Sequence, residues 1–218
     1  MGRWLAIAAA CAALMAASAA QGQERAATPE QIAAAHAAAD SIIGRSGVAD
    51  LFENVTSGAE PKIRHRASGM LCYFGADPTQ WRRDDVSVFP SGLPRGEDVG
   101  CNIWVKTFLI SMDVTRFQPV PSLEQATTAY EGSVMRLHPN ARPYTGRGHE
   151  VSAPQGLPPW RTVRYVFDDR GGQFSRLSVS VVNGWVIEQR TTGPLNDADF
   201  GDLASSVQLL AAIVSVSQ

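Results

Sequence analysis

Apolar residues early in the chain recur every three or four positions, the period of a helix with one buried face. Thr28 and Gln31 form a capping-box pattern at the predicted start of this helix, and Gly44 is its predicted end. Residues 46–55 continue the pattern over a shorter distance and predict a second, shorter helix. An N-terminal helical segment is therefore expected to span residues 28–56.

After residue 61 the period changes to two, which is typical of β-strands. Residues 62–73 alternate between polar or basic side chains and apolar ones, so they predict a strand with a basic outer edge. Residues 100–114 are apolar on both parities, which predicts a second long strand, covered on both faces and central in its sheet. The connection between them is rich in proline, glycine and charge, and it predicts a surface excursion with one short strand at residues 86–89.

The second half of the chain begins with a helix pattern and continues with a strand meander. Ser122 and Gln125 form another capping box, and Pro139 is the predicted stop of this helix. Alternating patterns then predict three strands, at residues 160–167, 173–182 and 185–192.

The Asn-Gly dipeptide between the last two strands predicts a two-residue hairpin turn. Such a turn places Val181 opposite Val186 and Val182 opposite Trp185, so both faces of the hairpin carry apolar groups. A final helix pattern at residues 196–216 has an apolar stripe that is expected to dock on the sheet: Phe200, Leu203, Val207, Leu210 and Val214. Together the patterns predict an α+β fold, a mainly antiparallel sheet flanked by helices in an α/β/α sandwich.

The first twenty residues have the three-part layout of a secretory signal peptide. Arg3 precedes an unbroken apolar run, and the small residues 18–20 precede a polar stretch. The run is barely long enough to span a bilayer, and no basic stop-transfer cluster follows it. We therefore expect residues 1–20 to be removed, and residues 21–218 to form a single globular domain in the periplasm or outside the cell, without a transmembrane segment.

The net charge limits the classes of ligand that are expected, and the remaining cysteines predict a disulfide. The formal net charge of -2 at pH 7 provides no electrostatic footprint for nucleic acid, so DNA or RNA binding is not expected.

Once the signal peptide is removed, Cys72 and Cys101 are the only cysteines, and an oxidising compartment favours a bond between them. Closing a loop of this length stabilises a domain by roughly 3.5 kcal/mol.

Two alternatives to this disulfide have little support. A redox pair is more often a close C-x-x-C motif, and a zinc site needs two further ligands near the cysteines. The four histidines are instead scattered along the chain, at positions 36, 65, 138 and 149. We expect no metal site and no cofactor.

The order of these elements resembles the Mog1/PsbP-like domains: an N-terminal helix, long antiparallel strands, a mid-chain helix, a meander ending in "NGWVIEQRTT" and a closing amphipathic helix. The resemblance covers residues 50–218 and implies a sheet sandwiched between helices. It also implies a binding or assembly role more than an enzymatic one, and it carries over no site residues. The disulfide and the proline- and glycine-rich insertion depart from the pattern of that family.

Catalytic motifs are absent from the sequence. The serine-hydrolase motif G-x-S-x-G does not occur, and His149-Glu150 lacks the second histidine of H-E-x-x-H. The acidic pair Asp168-Asp169 lies in a stretch of turn composition between two predicted strands. No catalytic residue is therefore predicted.

The predicted binding residues form a basic patch. Arg64 and Arg66 lie on the outer edge of one predicted strand, and the loop closed by the disulfide adds Trp81, Arg82 and Arg83. If the loop folds back over the strand, guanidinium groups and an indole converge on an anionic ligand or another envelope protein. A charged edge strand that only prevents edge-to-edge pairing is the alternative.

Two functions remain open at this point. The first is an exported, non-catalytic binding or assembly module of the cell envelope, and the alternative is a periplasmic hydrolase acting on cell-envelope material. A deep cleft that joins His65 or His149 to a carboxylate would favour the hydrolase. A flat or shallow surface would favour the module.

Overall fold

The computed structural model describes residues 27–75, 85–149, 151, 153–168 and 172–218. Within these ranges the helices are α1 (Pro29–Ser46), α2 (Leu123–Leu137) and α3 (Ala198–Ser217), with a 3-10 turn at Leu195–Asp197 before α3. The strands are β1 (Phe52–Asn54), β2 (Lys62–His65), β3 (Leu71–Tyr73), β4 (Val86–Val88), β5 (Asp98–Val105), β6 (Phe108–Thr115), β7 (Arg142–Pro143), β8 (Trp160–Phe167), β9 (Gln173–Val182) and β10 (Trp185–Pro194). The predicted signal peptide, residues 1–20, lies outside the described residues.

Seven strands form one antiparallel sheet in the order β4-β5-β6-β10-β9-β8-β7, so β10 is the central strand. At the turn between β9 and β10, Val182 pairs with Trp185 and Val181 with Val186, which confirms the predicted register. The turn residues Asn183-Gly184 have φ values of 48° and 83°, and a type I′ turn requires positive φ at both positions. Strands β1, β2 and β3 form a separate three-stranded sheet.

Both faces of the seven-stranded sheet are covered, which confirms the predicted α+β sandwich. Helices α1 and α3 and the three-stranded sheet pack on one face, in a buried cluster that includes Ile42, Ile63, Ile110, Ile187 and Ile213. Helix α2 packs on the opposite face over β8 and β9, in a smaller cluster that includes Ala126, Val134, Tyr165, Leu177 and Val179. Apolar side chains on both parities of the central strands produce this double cover.

Helix α1 begins as predicted and ends later than predicted. The Thr28 hydroxyl accepts a hydrogen bond from the Gln31 N–H, and the Gln31 side chain accepts one from the Thr28 N–H. The predicted end at Gly44 is wrong, because the helix continues to Ser46. Gly47 ends it with a left-handed φ of 65°, a conformation that glycine adopts without strain.

The predicted second helix at residues 46–55 is also wrong. This segment makes a turn and then β1, whose Phe52 pairs with His65 of β2. Phe52 is 1 % exposed in the main core, so long-range packing outweighs the local helix pattern. The predicted segment 28–56 is therefore helical only as far as Ser46.

Both of the predicted long strands are hairpins. Residues 62–73 form β2 and β3, and the turn between them brings Gly69, with φ of 79°, so close to the main chain that an added Cβ would lie 2.8 Å from the Ser215 carbonyl oxygen. Residues 100–114 belong to β5 and β6, which turn at Lys106 with φ of 55°. Lys106-Thr107 is not a typical turn dipeptide, so the apolar run contained no signal for this reversal.

Cys72 of β3 and Cys101 of β5 form the predicted disulfide. Their Cα atoms are 6.2 Å apart, and the bond joins the three-stranded sheet to the seven-stranded sheet. Because disulfides persist in oxidising compartments, the bond indicates an extracytoplasmic location.

Helix α3 docks on the sheet with a face other than the predicted one. Three members of the predicted stripe, Leu203, Val207 and Val214, are 47 %, 61 % and 37 % exposed. The buried face carries small, polar and apolar residues: Gly201, Asp202, Ser205, Ser206, Leu209, Ala212, Ile213, Ser215 and Val216. Asp202 explains the choice, because Arg164 of β8 donates a 2.8 Å hydrogen bond to its carboxylate and Arg176 of β9 donates a 2.9 Å hydrogen bond to its carbonyl oxygen.

In the described part of the chain, residues 195–217 form the one helical stretch that is long and apolar enough to cross a membrane. Half of this stretch is buried against the rest of the protein, as the core helix of a folded domain is. The described residues therefore contain no clear transmembrane segment.

Candidate functional site

The two described arginines of the predicted basic patch share a single carboxylate. Arg64 Nε donates a 2.7 Å hydrogen bond to one oxygen of Glu53, and Arg66 Nη1 donates a 2.8 Å hydrogen bond to the other. The hydrogen bond from Arg64 lowers the pKa of Glu53, so this carboxylate stays ionised between the two guanidinium groups. The other members of the patch lie outside the described residues: Trp81, Arg82 and Arg83. Convergence of all five stays a prediction.

Two histidines were singled out as possible partners of a carboxylate. His65 is fully buried between the rings of Phe52 and Trp185, and burial lowers its pKa to about 4, so it stays neutral at physiological pH. His149 donates its main-chain N–H to the carboxylate of Asp202 beside α3. The ring contacts of His65 therefore belong to the core, and the contact of His149 with the carboxylate is made by its main chain.

A different site lies over the part of the seven-stranded sheet that α2 does not cover. Because α2 packs over β8 and β9, side chains that β6 directs to this face, such as Ser111 and Asp113, stay half-buried. A cavity of about 440 Å³ lies over this region. Its walls include Phe89, Phe117 and Tyr130, and its floor holds three carboxylates, those of Asp98, Asp113 and Glu188. We call this cavity the acidic compartment.

Strand register makes the three carboxylates neighbours. Asp113 of β6 pairs with Glu188 of β10, and Asp98 of β5 pairs with Thr115 of β6, whose hydroxyl donates a 2.9 Å hydrogen bond to it. Side chains directly opposite on antiparallel strands lie about 5 Å apart, and like charges there are destabilising. Acidic groups placed so closely at the bottom of a cleft mark a candidate functional site.

Gly100 keeps the floor of this compartment open. It pairs with Asp113, and a Cβ added to it would overlap a carboxylate oxygen of Asp113 and lie 3.1 Å from the ring of Phe89. Only glycine therefore lets the Asp113 carboxyl occupy its place over β5.

The ionisation of the floor is set by burial and by neighbouring charge. Burial raises the pKa of Asp113 well above its usual value, and the carboxylate of Glu188 raises it further. Burial also raises the pKa of Glu188, although the ion pair with Arg190 offsets part of the rise. Burial and Glu188 likewise raise the pKa of Tyr130, so its phenol keeps its proton and can donate a hydrogen bond.

Asp113 differs from its two neighbours in its hydrogen bonds to the described residues. Asp98 accepts from Thr115 and Glu188 is paired with Arg190, whereas no side chain in the described ranges donates a hydrogen bond to Asp113. A carboxyl group of this kind either keeps its proton or gains a cationic partner from outside the protein.

A second cavity of about 410 Å³ adjoins the acidic compartment. Phe117 and Tyr130 line both cavities, so the two are adjacent, and we call them together the cleft. The second cavity has apolar walls from α2 and the segment before it, and two arginines, Arg136 and Arg190, line it. We call it the basic compartment.

Metal binding is not indicated by the side chains. Within the ranges that the structure describes, no group of three or more histidine, cysteine, aspartate or glutamate residues is arranged to hold a metal ion.

Sequence patterns missed this cleft, although the chain carries a signal for it. Asp113 and Glu188 are acidic residues inside runs predicted to be covered on both faces, and acidic residues are rarely buried without a partner or a function. That signal could have marked both residues as candidates. It could not show that they pair, because the register of β6 against β10 depends on residues about 75 positions apart in the chain.

Comparisons with known proteins do not assign the chain to a family. No protein-family model matches it, and a search of curated proteins gives no significant match. Among solved structures it is similar to LpqN, a protein involved in cell envelope biogenesis of Mycobacterium tuberculosis, with 9 % sequence identity, 76 % of each chain covered and a TM-score of 0.29. A similarity this low carries no argument about fold or function, and the predicted Mog1/PsbP-like family is not confirmed.

Proposed function

We propose that this protein is an extracytoplasmic, non-catalytic binding module of the cell envelope whose ligand occupies the acidic compartment. The observation that carries the proposal is a cavity with three aromatic walls above a floor of three carboxylates. Ligand sites combine apolar and aromatic walls with a few convergent polar groups, as this cavity does.

The chemistry of the compartment favours a ligand with a protonated nitrogen. Carboxylates form charge-assisted hydrogen bonds with ammonium groups, and aromatic faces attract cations. Asp113, which has no hydrogen-bond donor among the described residues, would gain one from such a ligand. Binding would then offset the electrostatic cost of placing Asp113 beside Glu188.

Two further observations support the location and the non-catalytic role. The disulfide between Cys72 and Cys101 fits a protein exported by the predicted signal peptide. The described elements follow the order of helix, strands, mid-chain helix, meander and closing helix on which the resemblance to binding and assembly domains rests.

The proposal is tested with Ala-Phe amide, a dipeptide that carries only a positive charge. Titration of the exported protein, followed by NMR, should show saturable binding that weakens about 5-fold or more in Asp113→Asn. Below about pH 7, where the α-amino group of the peptide stays protonated, the affinity should rise with pH, because Asp113 must lose its proton to pair with a cation and its pKa is raised.

Asp168→Asn is the matched control, because Asp168 is exposed at the end of β8 and does not line the cleft. It should bind Ala-Phe amide as the unmodified protein does. The absence of saturable binding at millimolar peptide, or equal affinity in Asp113→Asn, would overturn the proposal.

A second function is favoured by the same aspartate. A carboxylic acid that keeps its proton to an unusually high pH, beside another carboxylate, is suited to general acid catalysis. The protein would then be a hydrolase of cell-envelope material. Release of soluble fragments from purified peptidoglycan, detected by mass spectrometry and abolished in Asp113→Asn, would establish this function in place of the non-catalytic one.

A further inference from the structure

The two compartments of the cleft carry opposite charges. The acidic compartment is lined by three carboxylates and, among the described residues, by no lysine or arginine. The basic compartment is lined by Arg136 and Arg190 and, among the same residues, by no carboxylate. The charges change sign at Phe117 and Tyr130, which line both compartments.

Arg136 supplies the available positive charge of the basic compartment. It is exposed on the last turn of α2 and forms no ion pair with a described residue. A Cβ added at Gly132, one turn earlier, would lie 3.5 Å from Arg136 Nη1, so the guanidinium lies across a part of the helix that has no side chain. Arg190, in contrast, is half-buried and paired with Glu188.

We propose that the ligand of this cleft is a zwitterion, with its cationic group in the acidic compartment and a carboxylate or phosphate group at Arg136. The inference rests on the proposed function, because it assigns the second end of the same ligand.

The volumes and the linings of the two adjacent compartments support a ligand that occupies both. Volumes of about 440 and 410 Å³ each fall within the range of small-molecule pockets. The basic compartment offers an apolar surface to the body of the ligand, from Pro119, Pro121, Ala126 and Ala129. The planar guanidinium of Arg136 can then bind a carboxylate or phosphate with two parallel hydrogen bonds.

Three dipeptides with the same body test the inference. Ala-Phe carries both charges, Ala-Phe amide carries only the positive charge, and N-acetyl-Ala-Phe carries only the negative charge. We expect Ala-Phe to bind about 5-fold more tightly than the amide, as a partly exposed ion pair allows, and the acetylated peptide to bind most weakly. O-phosphoethanolamine, compared with ethanolamine, shows whether a phosphate can replace the carboxylate.

Arg136→Gln should lower the affinity for Ala-Phe to that of the amide. The matched control is Arg161→Gln, which removes an exposed arginine of β8 outside the cleft and should leave the difference between the two peptides unchanged. If the amide binds as tightly as Ala-Phe, or if Arg136→Gln binds both as the unmodified protein does, the zwitterion is wrong while the proposed function stands. If no peptide binds, the proposed function fails and the inference fails with it.

Discussion

The carboxyl group of Asp113 owes its raised pKa to residues that are distant in the sequence. An aspartate on a solvated strand has a pKa near 3.9. Here Gly100 of β5 leaves room for the side chain, burial removes water from it, and Glu188 of β10 adds a like charge. The chemistry of this residue is therefore a product of strand pairing, and substitutions at its neighbours should change it.

Gly100→Ala tests this dependence directly. The added methyl group would overlap the Asp113 carboxylate, so that side chain must move and the floor of the acidic compartment must change. We expect the free energy of unfolding to fall by about 1–3 kcal/mol, as for other overpacked sites, and Ala-Phe amide to bind about 5-fold more weakly. Gly58→Ala, where an added Cβ meets no atom within 4 Å, should change stability by less than about 0.5 kcal/mol. Unchanged binding in Gly100→Ala would contradict the role of Asp113.

His65 predicts how stability depends on pH. Its folded pKa is lowered to about 4 by burial, whereas an unfolded histidine has a pKa near 6.5. The stability due to neutral His65 is therefore fully present above pH 6.5 and is lost as the pH falls toward 4, by about 3 kcal/mol. Urea denaturation at pH 7 and pH 4.5 should show a smaller decline in His65→Gln than in the unmodified protein.

Asp113 and Glu188 act in the opposite direction, because their folded pKa values are raised. Their contribution is present at low pH and is lost as the pH rises from the unfolded pKa through the folded one. The unmodified protein and His65→Gln both contain Asp113 and Glu188. The difference between their free energies of unfolding at each pH therefore does not include this contribution. If the free energy of unfolding declines equally in the unmodified protein and in His65→Gln, His65 is not the group responsible for the loss of stability at low pH.

At the scale of elements, α3 is held by a polar seam on an otherwise apolar helix. Asp202 lies fully buried among arginines of β8 and β9, and one turn later Ser205 donates a hydrogen bond to Thr191 of β10. Turning the helix to bury its apolar stripe would leave the buried arginines without their carboxylate, a loss of about 3–5 kcal/mol for a broken buried pair. Satisfying the charges therefore decides the orientation of the helix.

A pair of leucines on α3 tests that orientation. Leu209 is 1 % exposed and Leu203 is 47 % exposed, although the sequence pattern places Leu203 in the buried stripe. Leu209→Ala should lower the free energy of unfolding by about 2–5 kcal/mol, and Leu203→Ala by less than about 1 kcal/mol. Urea denaturation measures both values. The reverse order would mean that α3 docks by the predicted stripe.

At the scale of the molecule, core packing holds the three-stranded sheet against the rest, since Phe52, Ile63 and Met70 are buried in the main core. The disulfide joins β3 to β5, and the hydroxyl of Ser215 in α3 accepts a 3.1 Å hydrogen bond from the Leu71 N–H at the start of β3. The turn at Gly69 lies close to the Ser215 carbonyl oxygen. The disulfide therefore adds a covalent link between two sheets that core packing already holds together.

Loss of the disulfide should destabilise the folded protein. Cys72→Ser should lower the free energy of unfolding by roughly 2–4 kcal/mol, because the unfolded chain loses its cross-link. Chemical reduction of the unmodified protein should cause a similar loss and serves as the control for the changed side chain. Thiol labelling of the exported protein under denaturing, non-reducing conditions should find no free thiol. A labelled Cys72 in that material would contradict the bond.

Local chemistry determined a substantial part of this protein. The capping boxes at Thr28 and Ser122 start helices where predicted, and Asn183-Gly184 sets the register of β9 against β10. Each of these features depends on atoms within a few residues of one another, so the pattern alone is sufficient. The disulfide was predictable for a different reason, since export leaves two cysteines and one possible bond. Export itself, the division into one domain and the basic patch stay predictions.

Tertiary structure alone decided where the long apolar runs reverse, which face of α3 is buried, and which side chains form the cleft. Lys106 turns because β5 and β6 gain hydrogen-bonded partners, and the dipeptide there contains no turn signal. Asp98, Asp113 and Glu188 meet because three strands pair in one register. These outcomes depend on contacts between residues far apart in the chain. The energies of such contacts cannot be read from any single stretch of the sequence.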